Sequence, residues 1–168
     1  MRWIAPALLL FCAPVHAATC DLNAITTALE ASLADMKPKE IEVSDVQSTE
    51  GGVWNIYREK DGRLNTIVRI DGGESGKNET RLSVANRKTW GVASTRFDYI
   101  RHAFADDGSP FAYVKKTTDY YYFCDGRLYT ANPTWSTVGE EYVTAAAGVK
   151  DTFFKAKEIA EVVKGLAK

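Results

Sequence analysis

Apolar and polar residues alternate with a period of two through much of residues 51–130, and short turn signals interrupt the alternation. In Arg63–Ile70, Leu64, Thr66, Val68 and Ile70 share one parity, while Arg63, Asn65, Ile67 and Arg69 share the other. Successive strand residues point to opposite faces, so this pattern predicts a sheet with one buried face and one wet face. Val53–Glu59 reads as the preceding strand, and Thr80, Leu82 and Val84 carry the inward pattern into the following one. Trp90–Ser94, Arg96–Phe104, Phe111–Cys124 and Leu128–Ala131 read as further strands, and Ile41–Ser48 as a first strand at an edge. One turn signature occurs twice: Tyr57 precedes Asp61-Gly62-Arg63-Leu64 just as Tyr121 precedes Asp125-Gly126-Arg127-Leu128. Asp-Gly between strand-like runs signals a hairpin, because glycine takes the positive φ that such turns require. A degraded copy runs from Leu82 to Asn86-Arg87-Lys88, with Arg87 in the place of glycine.

Outside this region the period changes to that of a helix. Leu22, Ile25, Leu29, Leu33 and Met36 fall on one helical face over Asp21–Met36, with Thr19 or Asp21 available as a cap and Pro38 as a stop. Near the C-terminus, Thr137-Val138-Gly139-Glu140 has the form of a capping box. Val143, Ala146, Val149, Phe153, Ala156, Ala160 and Val163 then make a stripe, which Gly148 and Asp151 are placed to split. The expected fold is α+β: an antiparallel meander of about 6–8 strands, with the N-terminal helix and a C-terminal helix or helix pair packed on one face.

Residues 1–17 carry a different signal. Arg2 is followed by an apolar run from Trp3 to Val15 and by small residues ending at Ala17. That is the form of a cleavable secretory signal peptide cut after Ala17, and the run is too short to span a bilayer. Thr19 before Cys20 does not fit a lipoprotein cleavage site. Residues 18–168 are then expected to form a single domain in the periplasm or outside the cell, with no membrane insertion after cleavage. Loss of Arg2 takes the formal net charge from −1 to −2, too near neutral for a nucleic-acid partner. Cys12 leaves with the signal, so Cys20 and Cys124 remain as an even pair in an oxidising compartment and predict a disulfide.

Catalytic signals are sparse. Asp71–Asn78 has a glancing likeness to a phosphate-binding loop, but Asp71 replaces the first glycine and Asn78 the magnesium-ligating hydroxyl, so a hairpin turn is expected. His102 is the one histidine left after signal removal, with Asp98, Asp106 and Asp107 nearby in sequence. A His102–Asp106 dyad is the only acid–base pair the spacing offers, and a partly exposed strand histidine is the plainer reading. No zinc ligand set can be assembled once both cysteines are paired, and Asp106-Asp107-Gly108 lacks the remaining oxygens of a calcium loop. Asn78-Glu79-Thr80 fits the N-glycosylation pattern, which an exported bacterial chain leaves unused. No cofactor, no metal and no enzymatic activity are expected. Aromatic residues are the remaining feature: Trp54, Tyr57, Trp90, Tyr99, Tyr120, Tyr121 and Tyr122 are candidates for a protein-binding face, against the alternative of cross-strand packing.

Four strings together carry a resemblance: Glu50-Gly51-Gly52, Tyr57 before Asp61-Gly62-Arg63-Leu64, Glu74-Ser75-Gly76-Lys77 before Glu79, and Tyr122-Phe123-Cys124-Asp125-Gly126-Arg127-Leu128. They resemble a group of uncharacterised exported bacterial proteins and lipoproteins, and the turn layout is loosely similar to MORN-like antitoxin repeats. The likeness covers roughly residues 50–130; Ser75 stands for the usual threonine, and the middle turn lacks its glycine. It implies export and a turn-rich sheet, and it brings no activity with it. The expected function is a non-enzymatic periplasmic binding protein, an inhibitor or immunity protein against a secreted toxin or hydrolase. The alternatives are a small-molecule or lipid carrier of the cell envelope and a hydrolase dependent on His102.

Overall fold

A computed structural model describes residues 20–44, 51–100, 113–130 and 139–167. Seven strands follow one another in space in chain order: β1 (Lys39–Glu42), β2 (Gly52–Arg58), β3 (Leu64–Gly73), β4 (Gly76–Asn86), β5 (Thr89–Tyr99), β6 (Tyr113–Cys124) and β7 (Arg127–Leu128). Every neighbouring pair is antiparallel, which makes a plain meander. With α1 (Leu22–Glu30) before it, and α2 (Glu140–Phe154) and α3 (Ala160–Val163) after it, the fold is α+β as the pattern predicts.

The two Asp-Gly signatures make different turns. At the second, Asp125 and Gly126 both take positive φ, 50° and 73°, and Cys124 pairs directly with Arg127. Two positive φ values in a two-residue loop match the twist of the flanking strands. At the first, only Gly62 is left-handed, and the amide of Gly62 donates to the Glu59 carbonyl across a wider loop. Asp61 holds that loop by accepting from the Arg63 amide at 3.0 Å and from its Nε at 2.6 Å, which also keeps the carboxyl below its usual range. The degraded copy still turns. Asn86 Oδ1 accepts from the Lys88 amide at 2.9 Å, a side-chain bond that stands in for the missing glycine.

The helices do not share a face. Trp90 and Gly91 are consecutive in β5 and so point to opposite sides. Phe154 of α2 packs on Trp90, whereas a side chain at Gly91 would run into Ile25 and Leu29 of α1. The sheet is therefore covered from both sides, and the one-wet-face expectation fails at Thr66-Ile67-Val68, where three consecutive residues are buried. The main core lies under the C-terminal helices, where Trp54, Ile56, Ile67, Leu82, Trp90, Val92 and Phe123 meet Ala146, Phe153, Ile159 and Val163.

α1 is shorter than its apolar stripe. Asp21 caps it by accepting from the Ala24 amide, but the helix stops before Leu33 and Met36. The reason lies on a distant strand: Arg81, rising from β4, donates through Nη2 to the carbonyls of Ala28 and Ala31 at 3.1 and 2.8 Å. A cation on the last carbonyls both satisfies them and suits the helix dipole. α2 runs unbroken through Gly148 and Asp151, and the interruption comes at Lys155-Ala156, before a single 3-10 turn (Lys157–Ile159). Its N-cap is Gly139, with no side-chain cap; Thr137 of the anticipated capping box lies outside the described residues. Trp90–Ser94 and Arg96–Phe104 prove to be one strand as far as Tyr99. The signal-peptide expectation for 1–17 lies outside the described residues. Among the described residues no helix is long and apolar enough to cross a membrane.

Cys20 and Cys124 are joined, with Cα atoms 5.7 Å apart, well inside the disulfide range. The bridge ties the residue before the α1 cap to the last residue of β6. At the other end of the sheet, Glu158 Oε1 accepts from the Ser44 amide at 2.7 Å and from the Ser44 hydroxyl. Chiefly through that hydroxyl bond, the carboxyl is held below its ordinary value of 4.5. A depressed folded-state pKa stabilises above the unfolded value, and the contribution is lost as pH falls through the folded one. Glu158→Gln is accordingly expected to flatten the acid limb of a melting-temperature profile below about pH 4.5 and to leave neutral pH nearly unchanged in sensitivity. An acid limb identical to the wild type would contradict this role.

Candidate functional site

The face of the sheet under α2 changes character along a single line. Taking alternate residues, β5 reads Trp90, Val92, then Ser94, Arg96, Asp98, and β4 reads Val84, Leu82, then Thr80, Asn78, Gly76. β3 gives Ile67, then Arg69, Asp71, Gly73, and β6 gives Phe123, Tyr121, then Asp119, Thr117, Lys115. The registers place these in rows: Ile67, Leu82, Val92 and Tyr121 lie side by side, and one row further on come Arg69, Thr80, Ser94 and Asp119. Beyond that row lie Asp71, Asn78, Arg96 and Thr117, and then Gly73, Gly76, Asp98 and Lys115. The apolar half is sealed by the C-terminal helices; the polar half forms an open depression of about 760 Å³ that reaches Thr152 of α2. A second depression, of about 450 Å³, continues across β5 to Lys115, Thr117 and Asp119.

Charge on this half-face is organised in pairs along single strands. Arg69 Nε meets Asp71 at 2.7 Å on β3, and Arg96 Nε meets Asp98 at 2.8 Å on β5. The first pair is mostly covered, at 12% and 22% side-chain exposure, and the Arg69 guanidinium also lies 5.2 Å from the centre of the Trp54 ring. The second pair is open, with Arg96 at 71%. Asn78 and Thr80 on β4 stand between them, so donors and acceptors alternate across three strands. An exposed ion pair gains little by itself, since water competes for both partners. The arrangement is suited to exchanging its hydrogen bonds with a polar or charged partner.

Gly76 has a structural reason to be glycine: a Cβ there would collide with the Phe97 carbonyl oxygen and lie 3.2 Å from its carbon. The hairpin β3–β4 closes through Glu74-Ser75 alone, and the Tyr99 amide donates to the Ser75 carbonyl at 2.9 Å. Asp71–Asn78 is a hairpin, as the sequence indicates, but its arms are strand up to Gly73 and again from Gly76 and not a loop throughout.

The seven aromatic candidates divide by burial. Trp54 and Trp90 are completely buried and Tyr121 is 4% exposed, so none of the three can meet a partner. Trp54 packs on Phe153, Trp90 stacks on Phe123, and Tyr121 packs on Tyr142. Burial raises the Tyr121 and Tyr142 hydroxyls above the usual phenol range. Tyr57, Tyr99 and Tyr122 are half-buried, and Tyr120, at 47%, is the one exposed member of the set. Core packing thus takes Trp54, Trp90 and Tyr121 out of reach of a partner and leaves the other four tyrosines at least partly accessible. No single strand shows the polar rows; every second residue of adjacent strands, taken together, marks the apolar-to-polar change. His102, Asp106 and Asp107 lie outside the described residues. Neither the family models, nor the curated proteins, nor the solved structures compared with this chain give a match.

Proposed function

We propose that this is an exported, non-enzymatic binding protein that inhibits or neutralises a secreted toxin or hydrolase, and that it grips its partner with the polar half-face. The observation carrying this reading is the open, charge-paired surface over the ends of β3, β4 and β5, built on a sheet whose other half is locked by helices and a disulfide. Rigid presentation of polar groups favours binding, since little side-chain and loop order is lost on docking. A lipid-carrier reading has less support. The layer between sheet and C-terminal helices, where an apolar ligand would sit, is filled by Trp54, Trp90, Phe123 and Phe153, all at most 2% exposed. The test is capture by the oxidised protein from native periplasmic and secreted fractions, read by mass spectrometry. One stoichiometric enzyme or toxin is expected, with its activity suppressed by the added protein. A blank capture together with a clear thermal stabilisation by fatty acids or phospholipids would overturn the proposal in favour of a carrier.

A further inference from the structure

Strand direction gives the polar half-face a polarity. β3 and β5 are both antiparallel to β4, so they run parallel to each other as the walls of a trough with β4 as its floor. Each wall carries an arginine followed two residues later by an aspartate, Arg69 with Asp71 and Arg96 with Asp98. On both walls the arginine is therefore nearer the apolar rows under α2, and the aspartate nearer the β3–β4 hairpin.

The walls are also offset by one row. Arg69 is level with Ser94, Asp71 with Arg96, and Gly73 with Asp98. The midpoint between the two arginines consequently falls over β4 between Thr80 and Asn78, and the midpoint between the two aspartates between Asn78 and Gly76. These midpoints are one row apart, about 7 Å, which is the distance from residue i to i+2 in an extended chain. The floor between them is uncharged, and Gly73 and Gly76 leave its outer end without side chains. β6 carries the opposite order, with Asp119 level with Ser94 and Lys115 level with Asp98, so the polarity belongs to the trough between β3 and β5.

We infer, resting on the reading of the half-face as the recognition surface, that the trough takes an extended segment of the partner protein bearing an acidic and a basic residue two positions apart. The segment lies along β4. Its carboxylate comes between Arg69 and Arg96, and its cation between Asp71 and Asp98. Each wall charge keeps its present partner and adds a second of opposite sign, because a guanidinium has five donors and a carboxylate has two accepting oxygens. Two acids or two bases at the same spacing set like charges against one of the midpoints. An acid and a base three positions apart point to opposite sides of an extended segment, so only one of them reaches the trough.

The test is titration of the isotope-labelled, oxidised protein with capped seven-residue threonine peptides, followed by two-dimensional NMR. One peptide carries Glu-Thr-Lys at its centre. The others carry Glu-Thr-Thr-Lys, Glu-Thr-Glu or Lys-Thr-Lys. The first is expected to bind at least about tenfold more tightly than any other and to shift the amides of Asn78, Thr80 and Arg96. The exchange Arg96→Asp with Asp98→Arg brings the two midpoints onto the same row and is expected to abolish the preference. The far-UV spectrum and melting temperature should not change, since both side chains lie outside the core. No binding by any peptide, equal binding by all, or a preference that survives the exchange would each overturn the inference, and a toxin or hydrolase captured in the same protein's pull-down would still support inhibition. The expected selectivity with no such enzyme captured would uphold the inference and remove the inhibitor reading.

Discussion

Cys124→Ser is expected to lower the melting temperature by roughly 10–20 °C. The cross-link spans a sequence separation of 104 residues. Closing a loop of that length removes denatured-state entropy equivalent to about 4–5 kcal/mol, which on a chain of this size corresponds to several degrees per kcal/mol. The location adds to the effect. α1 has 9 residues, too few to be helical alone, and it depends on contacts with the sheet. Without the bridge it is held by Ile25 and Leu29 against the bare backbone of Gly91, and by Arg81 on its last carbonyls. Cys20→Ser should therefore reproduce the loss, and the double variant should cost no more than either single one. Differential scanning calorimetry under oxidising conditions checks this. Melting unchanged in both single variants would mean that the two sulfurs do not constrain the unfolded chain.

Trp90→Ala is expected to destabilise the protein by about 3–5 kcal/mol, the range for truncating a large buried aromatic residue. Trp90 is fully buried, stacked on Phe123 with ring centres 4.1 Å apart, and tilted against Phe154 at 5.3 Å. Its Nε1 donates to the Ala167 carbonyl at 3.1 Å, and the Ala167 amide donates to Arg87 at 2.8 Å. The C-terminal segment is thereby sewn to the β4–β5 turn. Trp90→Phe keeps most of the ring but removes the donor, and should cost nearer to 1–2 kcal/mol, a hydrogen bond together with a modest loss of packing. Urea unfolding followed by tyrosine fluorescence and circular dichroism distinguishes the two variants. A cost below about 1 kcal/mol for the alanine variant would show that the C-terminal helices do not stabilise this part of the sheet.

The parts of this architecture that depend on short-range chemistry were legible. A period of two places all the central strands, because side-chain parity is a local property of extended backbone. Asp-Gly marks both of its turns for the same kind of reason, although the two turns differ in φ at Asp61 and Asp125. What depended on distant partners was not legible. The end of α1 is decided by Arg81, about fifty residues further on, and the coverage of both sheet faces by Gly91, whose bare backbone admits Ile25 and Leu29. Thr66-Ile67-Val68 does carry a sign of two-sided burial, since an uninterrupted buried run suits a strand packed on both faces. Trp54 and Trp90 have the chemistry of interface anchors, but their stripe coincides with Leu82 and Ile67 on the face that the C-terminal helices cover. The polar half-face needs register to become visible. Asp71, Asn78, Arg96 and Thr117 come from four different strands and line up only once those strands are aligned.

Quantitative capture with two baits reaches the recognition surface most directly: the wild-type protein, and a variant carrying Arg96→Glu and Asp98→Lys. Both residues are outside the core, and reversing them together preserves their mutual attraction and the net charge. A partner that reads the polar half-face should be held by the wild type and lost, by at least about tenfold, by the reversed pair, since like charges set against a complementary surface cost several kcal/mol. Equal capture by both baits would place recognition elsewhere on the molecule and contradict the role assigned to this surface.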